Sequence, residues 1–116
     1  MEDGGNFILE FSNCTVNDNR TRGEAAGAVR EWIEYLTENG SDSSHSLLLP
    51  GPGEAGDADY SFKWLKVFSS YVSVGRDFEI GLNNGGVGRR ADLFGRLMSC
   101  DSSRLYNASF VRESGT

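Results

Sequence analysis

The segment from Thr21 to Gly40 constrains the fold more than any other, because it carries the start, the buried face and the end of an amphipathic helix. Thr21 and Glu24 have the spacing of a capping box, in which both side chains accept backbone hydrogen bonds at a helix start. The apolar residues that follow have the spacing of one helical face: Ala25, Ala28, Val29, Trp32, Ile33 and Leu36. Asn39 and Gly40 adopt the left-handed conformation at low cost, so we expect the helix to end there.

Alternating apolar and polar side chains predict three strands around this helix. Residues 6–16 alternate, with Phe7 and Phe11 on the same face. The same pattern predicts a second strand at 77–82 and a last strand at 105–111. These strands are short enough to form one small sheet.

A second helix and a tight turn are predicted between these strands. Aromatic and aliphatic residues from 59 to 74 form a wide helical stripe, which Gly75 would end. Residues 83–88 contain the Asn-Gly pair that is typical of a hairpin turn. The pattern at 89–100 favours a short helix, with a returning strand as the alternative.

Residues 41–58 are rich in Ser, Gly, Asp and Pro, so we expect a long flexible surface loop. The only histidine, His45, lies in this segment and is expected to be solvated. Three leucines, Leu47, Leu48 and Leu49, lie between its polar flanks with no regular element to bury them. They either pack back onto the domain or dock into another molecule.

The predicted element order indicates a small α+β fold in a single domain over residues 1–116. Its short sheet would carry two to three helices packed on one face, together with the long Ser/Gly/Pro-rich loop. A length of 116 residues fits one domain.

Composition excludes several classes of protein. The net charge of −6 argues against non-specific adhesion to nucleic acid or to an anionic membrane. No apolar run approaches the roughly 18 residues of a membrane helix, and the acidic first residues do not resemble a secretion signal. Cys14 and Cys100 are therefore expected to be free thiols in an intracellular, cytoplasmic protein. No residue spacing indicates a metal or cofactor site.

No pair of catalytic groups lies on rigid predicted elements, so we expect a non-enzymatic module that binds a protein partner or associates with itself. The predicted contact residues are Leu47, Leu48, Leu49 and Trp64. A hydrolase that uses His45 or Cys100 is a third hypothesis.

The alternative from another class is a small nucleic-acid-binding protein. Residues 60–116 carry 8 basic and 5 acidic side chains, whereas residues 1–59 carry 3 and 12. Most of the basic residues in the second half are arginines, whose guanidinium group binds phosphate and stacks on bases. The candidate contacts are Arg76, Arg89, Arg90, Arg96, Arg104 and Arg112.

Overall fold

The structure is a computed structural model that describes residues 6–50 and 61–109. These residues form five strands and three helices. In chain order they are β1 (Asn6–Val16), α1 (Arg22–Glu38), β2 (Ser44–Leu48), β3 (Phe62–Phe68), α2 (Tyr71–Leu82), α3 (Asn84–Phe94), β4 (Met98–Cys100) and β5 (Arg104–Ser109).

Strand β1 is the centre of one antiparallel sheet in which β2, β3, β1 and β4 follow each other in space. β3 pairs along one edge of β1, from Phe68 opposite Ile8 to Phe62 opposite Cys14. Along the other edge, β4 pairs with the end of β1 and β5 with its beginning. The predicted α+β class, a small domain with its helices on one face of the sheet, is confirmed.

Opposite residues of neighbouring strands share a face of the sheet, so the register divides the side chains into two sets. The set that faces the helices supplies the core, in which the strand residues are Ile8, Cys14, Phe62, Trp64, Phe68 and Met98. The other face carries half-buried apolar side chains, namely Phe7, Leu9, Phe11, Leu65 and Val67.

Helix α1 is confirmed with its caps. The Thr21 hydroxyl accepts from the Glu24 amide over 3.1 Å, and Glu24 Oε1 accepts from the Thr21 amide over 3.0 Å. A hydrogen bond from Arg20 to Glu24 lowers the pKa of this carboxyl group below its ordinary value. Asn39 is the C-cap, and Gly40 has a φ of 99°, as the sequence pattern predicted.

The predicted helix at 59–74 is wrong, because Phe62–Phe68 forms β3 and α2 begins only at Tyr71. Both faces of β3 carry large apolar side chains, with Trp64 toward the helices and Leu65 on the other face. Such a continuous apolar run has the composition of a buried helix as well as of a buried strand.

The predicted strand at 77–82 is also wrong, because these residues form the second half of α2. Ser70 caps this helix with its hydroxyl, which accepts a backbone hydrogen bond over 3.2 Å. Of the three alternating apolar residues only Ile80 is buried, whereas Phe78 and Leu82 are exposed. Two exposed hydrophobic residues thus produced a false strand pattern.

The predicted hairpin at 83–88 is a junction between two helices. Asn83 ends α2 and caps α3, and its Oδ1 accepts from the Gly86 amide over 2.6 Å. A Cβ atom at Gly86 would lie 1.9 Å from the carbonyl oxygen of Ile80. Glycine is therefore required there for α3 to begin directly against α2. For 89–100 both alternatives hold in part, because α3 continues to Phe94 and β4 follows.

The flexible loop predicted at 41–58 is wrong for Ser44–Leu48, which forms β2 and pairs with β3. The part of that prediction from 51 to 58 lies outside the described residues. The last strand is confirmed as β5, while positions 110 and 111 of its predicted range lie outside the described residues.

The prediction of free thiols is wrong, because Cys14 and Cys100 form a disulfide. The two residues lie directly opposite each other in β1 and β4, so pairing of these strands brings the sulfur atoms together. No helix in the two described ranges has the length and apolar composition to cross a membrane. A cytoplasmic location stays a prediction.

Candidate functional site

A cavity of about 420 Å³ lies between the sheet and the helices. Its lining residues are Glu10, Ser12, Trp32, Leu36, Trp64, Lys66, Phe68, Val74, Asp77, Phe78, Gly81, Leu82, Arg90, Phe94, Met98, Cys100, Asp101 and Ser103. They come from the helix-facing side of the sheet and from all three helices. This volume lies in the usual range of small-molecule sites, roughly 300–1,000 Å³.

Five aromatic side chains line the cavity, and three of them lie close together. The Phe94 ring centroid lies 5.5 Å from that of Trp64 and 6.4 Å from that of Trp32. Both indoles are buried, and they are the only two tryptophans of the chain. Aromatic walls of this kind favour a flat, aromatic ligand.

The strand register places three polar residues side by side on the helix-facing side of the sheet: His45 on β2, Lys66 on β3 and Glu10 on β1. Lys66 Nζ lies 3.5 Å from Glu10 Oε1 and 4.6 Å from the Trp64 ring centroid. The Lys66 and Glu10 side chains are only 23% and 19% exposed. Solvent and salt therefore screen this pair less than a surface ion pair.

A chain of hydrogen bonds connects β3 to α2 through His45. Trp64 Nε1 donates to His45 Nδ1 over 3.0 Å, and His45 Nε2 lies 3.0 Å from Ser43 Oγ. Ser43 Oγ donates to Asp77 Oδ2 over 2.6 Å. A serine hydroxyl has one hydrogen, so Ser43 accepts from His45 Nε2, and the direction of every bond in the chain is fixed.

Asp77 lines the cavity and has one oxygen without a hydrogen-bond donor. Its Oδ2 is held by Ser43, whereas Oδ1 is shielded from solvent and has no partner among the described residues. Leaving a buried carboxylate oxygen without a donor costs free energy. Because Oδ1 itself is out of contact with solvent, a ligand with an acidic O–H or N–H group supplies the missing donor once the Asp77 side chain turns toward the cavity.

The prediction that His45 is a solvated loop residue is wrong, since it is half-buried in β2 and hydrogen-bonded on both ring nitrogens. Burial, assisted by the nearby Lys66 charge, lowers the pKa of His45 to about 4. The imidazole is therefore neutral at pH 7. It does not line the cavity, so its role is to hold Trp64 and Ser43 in place.

The opposite part of the cavity is lined by residues at the junction of β4 and β5. Ser12 Oγ and Ser103 Oγ are 2.9 Å apart, and Asp101 Oδ1 accepts from the Asn13 amide over 2.8 Å. Cys100 of the disulfide lies beside them in the lining. The disulfide thus ties the edge strand to β1 at the wall of the cavity.

The predicted partner-binding residues do not form one surface. Leu47 lies opposite Trp64 in the sheet, and both face the helices, where Trp64 is buried and Leu47 is packed against the core. Leu48 and Leu49 are 40% and 58% exposed. Their role in binding a partner stays a prediction.

The arginines of the nucleic-acid hypothesis lie on different elements and mostly have local partners. Arg76 donates to the Gly40 carbonyl, Arg89 pairs with Glu31, and Arg104 pairs with Asp101. Arg90 and Arg96 are both exposed, and Arg90 also lies beside Trp32 at the cavity. Arg112 lies outside the described residues. A nucleic-acid contact by this set stays a prediction.

Sequence patterns missed Asp77, Ser43, Lys66 and Glu10 as site residues. A signal was present for Glu10 and Lys66, because each places a charge at an inward position of a strand whose neighbours on that face are buried. Charged residues at such positions are rarely buried without a function or a partner. Ser43 and Asp77 meet only through the tertiary fold.

No group of three or more His, Cys, Asp or Glu side chains within residues 6–50 and 61–109 is arranged to hold a metal ion. The acidic and histidine side chains near the cavity instead bind serine, lysine, arginine or tryptophan side chains or a backbone amide. The described side chains therefore offer no ready set of metal ligands.

No protein-family model and no curated protein matches this chain. Solved structures do match its fold. SnoaB, a cofactor-independent oxygenase from Streptomyces nogalater, is 14% identical with a TM-score of 0.61, over 95% of this chain and 97% of that one. A dabb family protein with a ferredoxin-like fold from Mesorhizobium loti is 13% identical with a TM-score of 0.54, over 94% and 99%. Hydroxynitrile lyase from Passiflora edulis is 10% identical with a TM-score of 0.56, over 95% and 97%.

The fold is therefore ferredoxin-like. The prediction of a non-enzymatic protein-binding or self-associating module is overturned. Proteins that share the fold over nearly their whole length include an oxygenase and a lyase. The sequence patterns could not indicate this, because the cavity and its charged residues are assembled by strand register.

Proposed function

We propose that this chain is a small enzyme that removes a proton from a flat aromatic substrate bound in the cavity, with Asp77 as the general base. The observation that carries this proposal is the state of the Asp77 carboxylate. One oxygen is oriented by Ser43 over 2.6 Å, and the other is shielded and lacks a donor. A turn of this side chain toward the cavity would bring the unpaired oxygen to a bound substrate, from which it can accept a proton.

The surrounding residues support this role. Trp32, Trp64 and Phe94 offer flat apolar contacts for an aromatic ring. Lys66 supplies a positive charge in the same cavity, which offsets the negative charge that deprotonation leaves on the substrate. Glu10 pairs with Lys66 and so holds the ammonium group at the sheet side of the cavity.

The proteins of similar fold include an oxygenase and a hydroxynitrile lyase. Proton removal can be the first step of either type of reaction. Deprotonation of an acidic phenol or C–H group gives an electron-rich anion that reacts with oxygen. Deprotonation of the hydroxyl of a hydroxynitrile allows the carbon–carbon bond to break, so that a carbonyl compound forms and cyanide leaves. Both reactions need a base that removes this proton, and the proposal is limited to that shared step.

The test is a comparison of Asp77→Asn with the wild type on aromatic hydroxynitriles and acidic naphthols, with cyanide release and oxygen uptake as readouts. We expect the substitution to lower kcat by about 10²- to 10⁴-fold, as for loss of a general base. Asp92→Asn is the matched control, because Asp92 is exposed on α3 and does not line the cavity. Equal activity of the Asp77 variant and the wild type would refute the assignment.

A further inference from the structure

The cavity lining includes a further charged group, Arg90 of α3, which the proton-transfer step does not use. Its guanidinium carbon lies 6.0 Å from the Trp32 ring centroid. Within the described residues Arg90 makes no ion pair and no hydrogen bond, whereas its neighbour Arg89 pairs with Glu31. Arg90 is exposed, so the side chain brings a positive charge without an ion-pair partner in the described part of the chain to the open side of the aromatic wall.

Gly81 explains how Arg90 reaches this position. This glycine of α2 is buried, and a Cβ atom there would lie 3.6 Å from Arg90 Nη1 and 3.8 Å from Arg90 Cδ. The arginine side chain therefore lies directly along the α2 surface at a position without a side chain. Trp32 also approaches this point, at 3.9 Å from the same Cβ position.

Helix geometry then relates Arg90 to Asp77. Asp77 and Gly81 are four residues apart in α2, so they lie on one face, about 6 Å apart along the helix axis. The carboxylate and the guanidinium do not pair with each other in the described structure. Two opposite charges therefore line the aromatic cavity at positions about one helical turn apart. This separation is close to the length of an aromatic ring with one substituent.

A guanidinium group presents parallel N–H donors that match both oxygens of a carboxylate. Its position over an indole leaves these donors unused by the protein. We propose that Arg90 binds a carboxylate group of the substrate, so that the substrate class is an aromatic acid whose acidic proton lies across the ring from that carboxylate. This inference rests on the proposed function for the placement of the reacting proton.

The experiment measures binding of 4-hydroxybenzoate and of its methyl ester by calorimetry, with the wild type, Arg90→Gln and Arg89→Gln. The acid and the ester share the ring and the hydroxyl group and differ only in charge. We expect the wild type to bind the acid about 10- to 100-fold more tightly than the ester, as for a charge-assisted contact. Arg90→Gln should remove this preference, and Arg89→Gln should keep it. Circular dichroism of each variant establishes that it is folded.

The outcomes separate the two proposals. Equal affinity of the wild type for acid and ester, or equal loss in both arginine variants, would overturn the carboxylate subsite and leave the role of Asp77 standing. Binding of neither compound, with no change in the fluorescence of the two cavity tryptophans, would overturn both. A preference for the acid that Arg90→Gln removes, together with full turnover by Asp77→Asn, would support the subsite and refute the base.

Discussion

Trp64 donates its indole hydrogen to His45 Nδ1 over 3.0 Å, and this contact decides where the histidine carries its proton. An indole nitrogen is a donor only, so Nδ1 must be unprotonated and Nε2 must carry the hydrogen. The donors then follow one direction, from Trp64 through His45 and Ser43 to Asp77. Protonation of His45 would place two hydrogens between the rings and break the chain.

The first prediction concerns stability at acid pH. His45 stays neutral in the folded protein down to about pH 4, whereas in the unfolded chain it gains a proton near 6.5. The unfolded state binds more protons between these values, so this group lowers stability as the pH falls through that window. The contribution is about 2 kcal/mol. This pH-dependent contribution is absent in His45→Asn, because asparagine keeps an acceptor for Trp64 but does not titrate.

Urea denaturation of the wild type and of His45→Asn at pH 7.0 and pH 4.5 measures this difference. The two proteins differ only at position 45, so the difference between the two pH-dependent losses reports on His45. An equal loss of unfolding free energy in both would mean that the histidine is solvated.

The second prediction concerns Ser43 as a positioning residue. Ser43→Ala removes the donor that orients Asp77 Oδ2 and leaves the carboxylate in place. We expect kcat to fall about tenfold with little change in KM, since the ring-binding walls are unchanged. Ser46→Ala is the control, because Ser46 is exposed and does not line the cavity. A change in KM alone would assign Ser43 to substrate binding instead.

The third prediction concerns the disulfide. Cys14 and Cys100 are 86 residues apart, so their bond restricts a large loop in the unfolded chain. Replacing the pair, as Cys14→Ala with Cys100→Ser, should lower the unfolding free energy by about 4 kcal/mol. The measurement is urea denaturation, and dithiothreitol should produce a similar loss in the wild type but none in the double variant. An unchanged wild-type midpoint under reduction would show that the bond does not stabilise the fold.

The fourth prediction compares two glycines of α3. Ala at Gly86 would place a methyl group against the Ile80 carbonyl, so we expect a loss of about 3 kcal/mol. Ala at Gly88 meets no atom within 4 Å, and helix propensity should increase stability by about 0.5–1 kcal/mol. Thermal denaturation distinguishes the two, and similar shifts for both variants would contradict the close contact of α2 and α3.

Local patterns were sufficient to predict α1, β1 and β5, because each has its own periodicity and turn or cap residues. They failed at β3 and α2, where a strand apolar on both faces resembled a helix, and where exposed Phe78 and Leu82 imitated a strand. The Asn-Gly signal marked a real change of direction, but between two helices. The tertiary packing of each element decided these cases.

The site was beyond local patterns for a different reason. His45, Lys66 and Glu10 become neighbours only when β2, β3 and β1 align in the observed register. Ser43 and Asp77 are 34 residues apart in the sequence, and only the tertiary fold brings them into contact. Arg90 was singled out from its sequence as a phosphate contact, and its place in the cavity gives it a different proposed ligand.

The pairing of β1 with both β4 and β5 has a consequence for the order of events during folding. Asn6 and Ser109, which are opposite each other in this sheet, are 103 residues apart, so the edge strands form only after most of the chain is available. Contacts of such high sequence separation slow folding, because a long loop must close before they stabilise anything. We therefore expect a slowly formed cavity, whose wall at Cys100 and Ser103 is completed last.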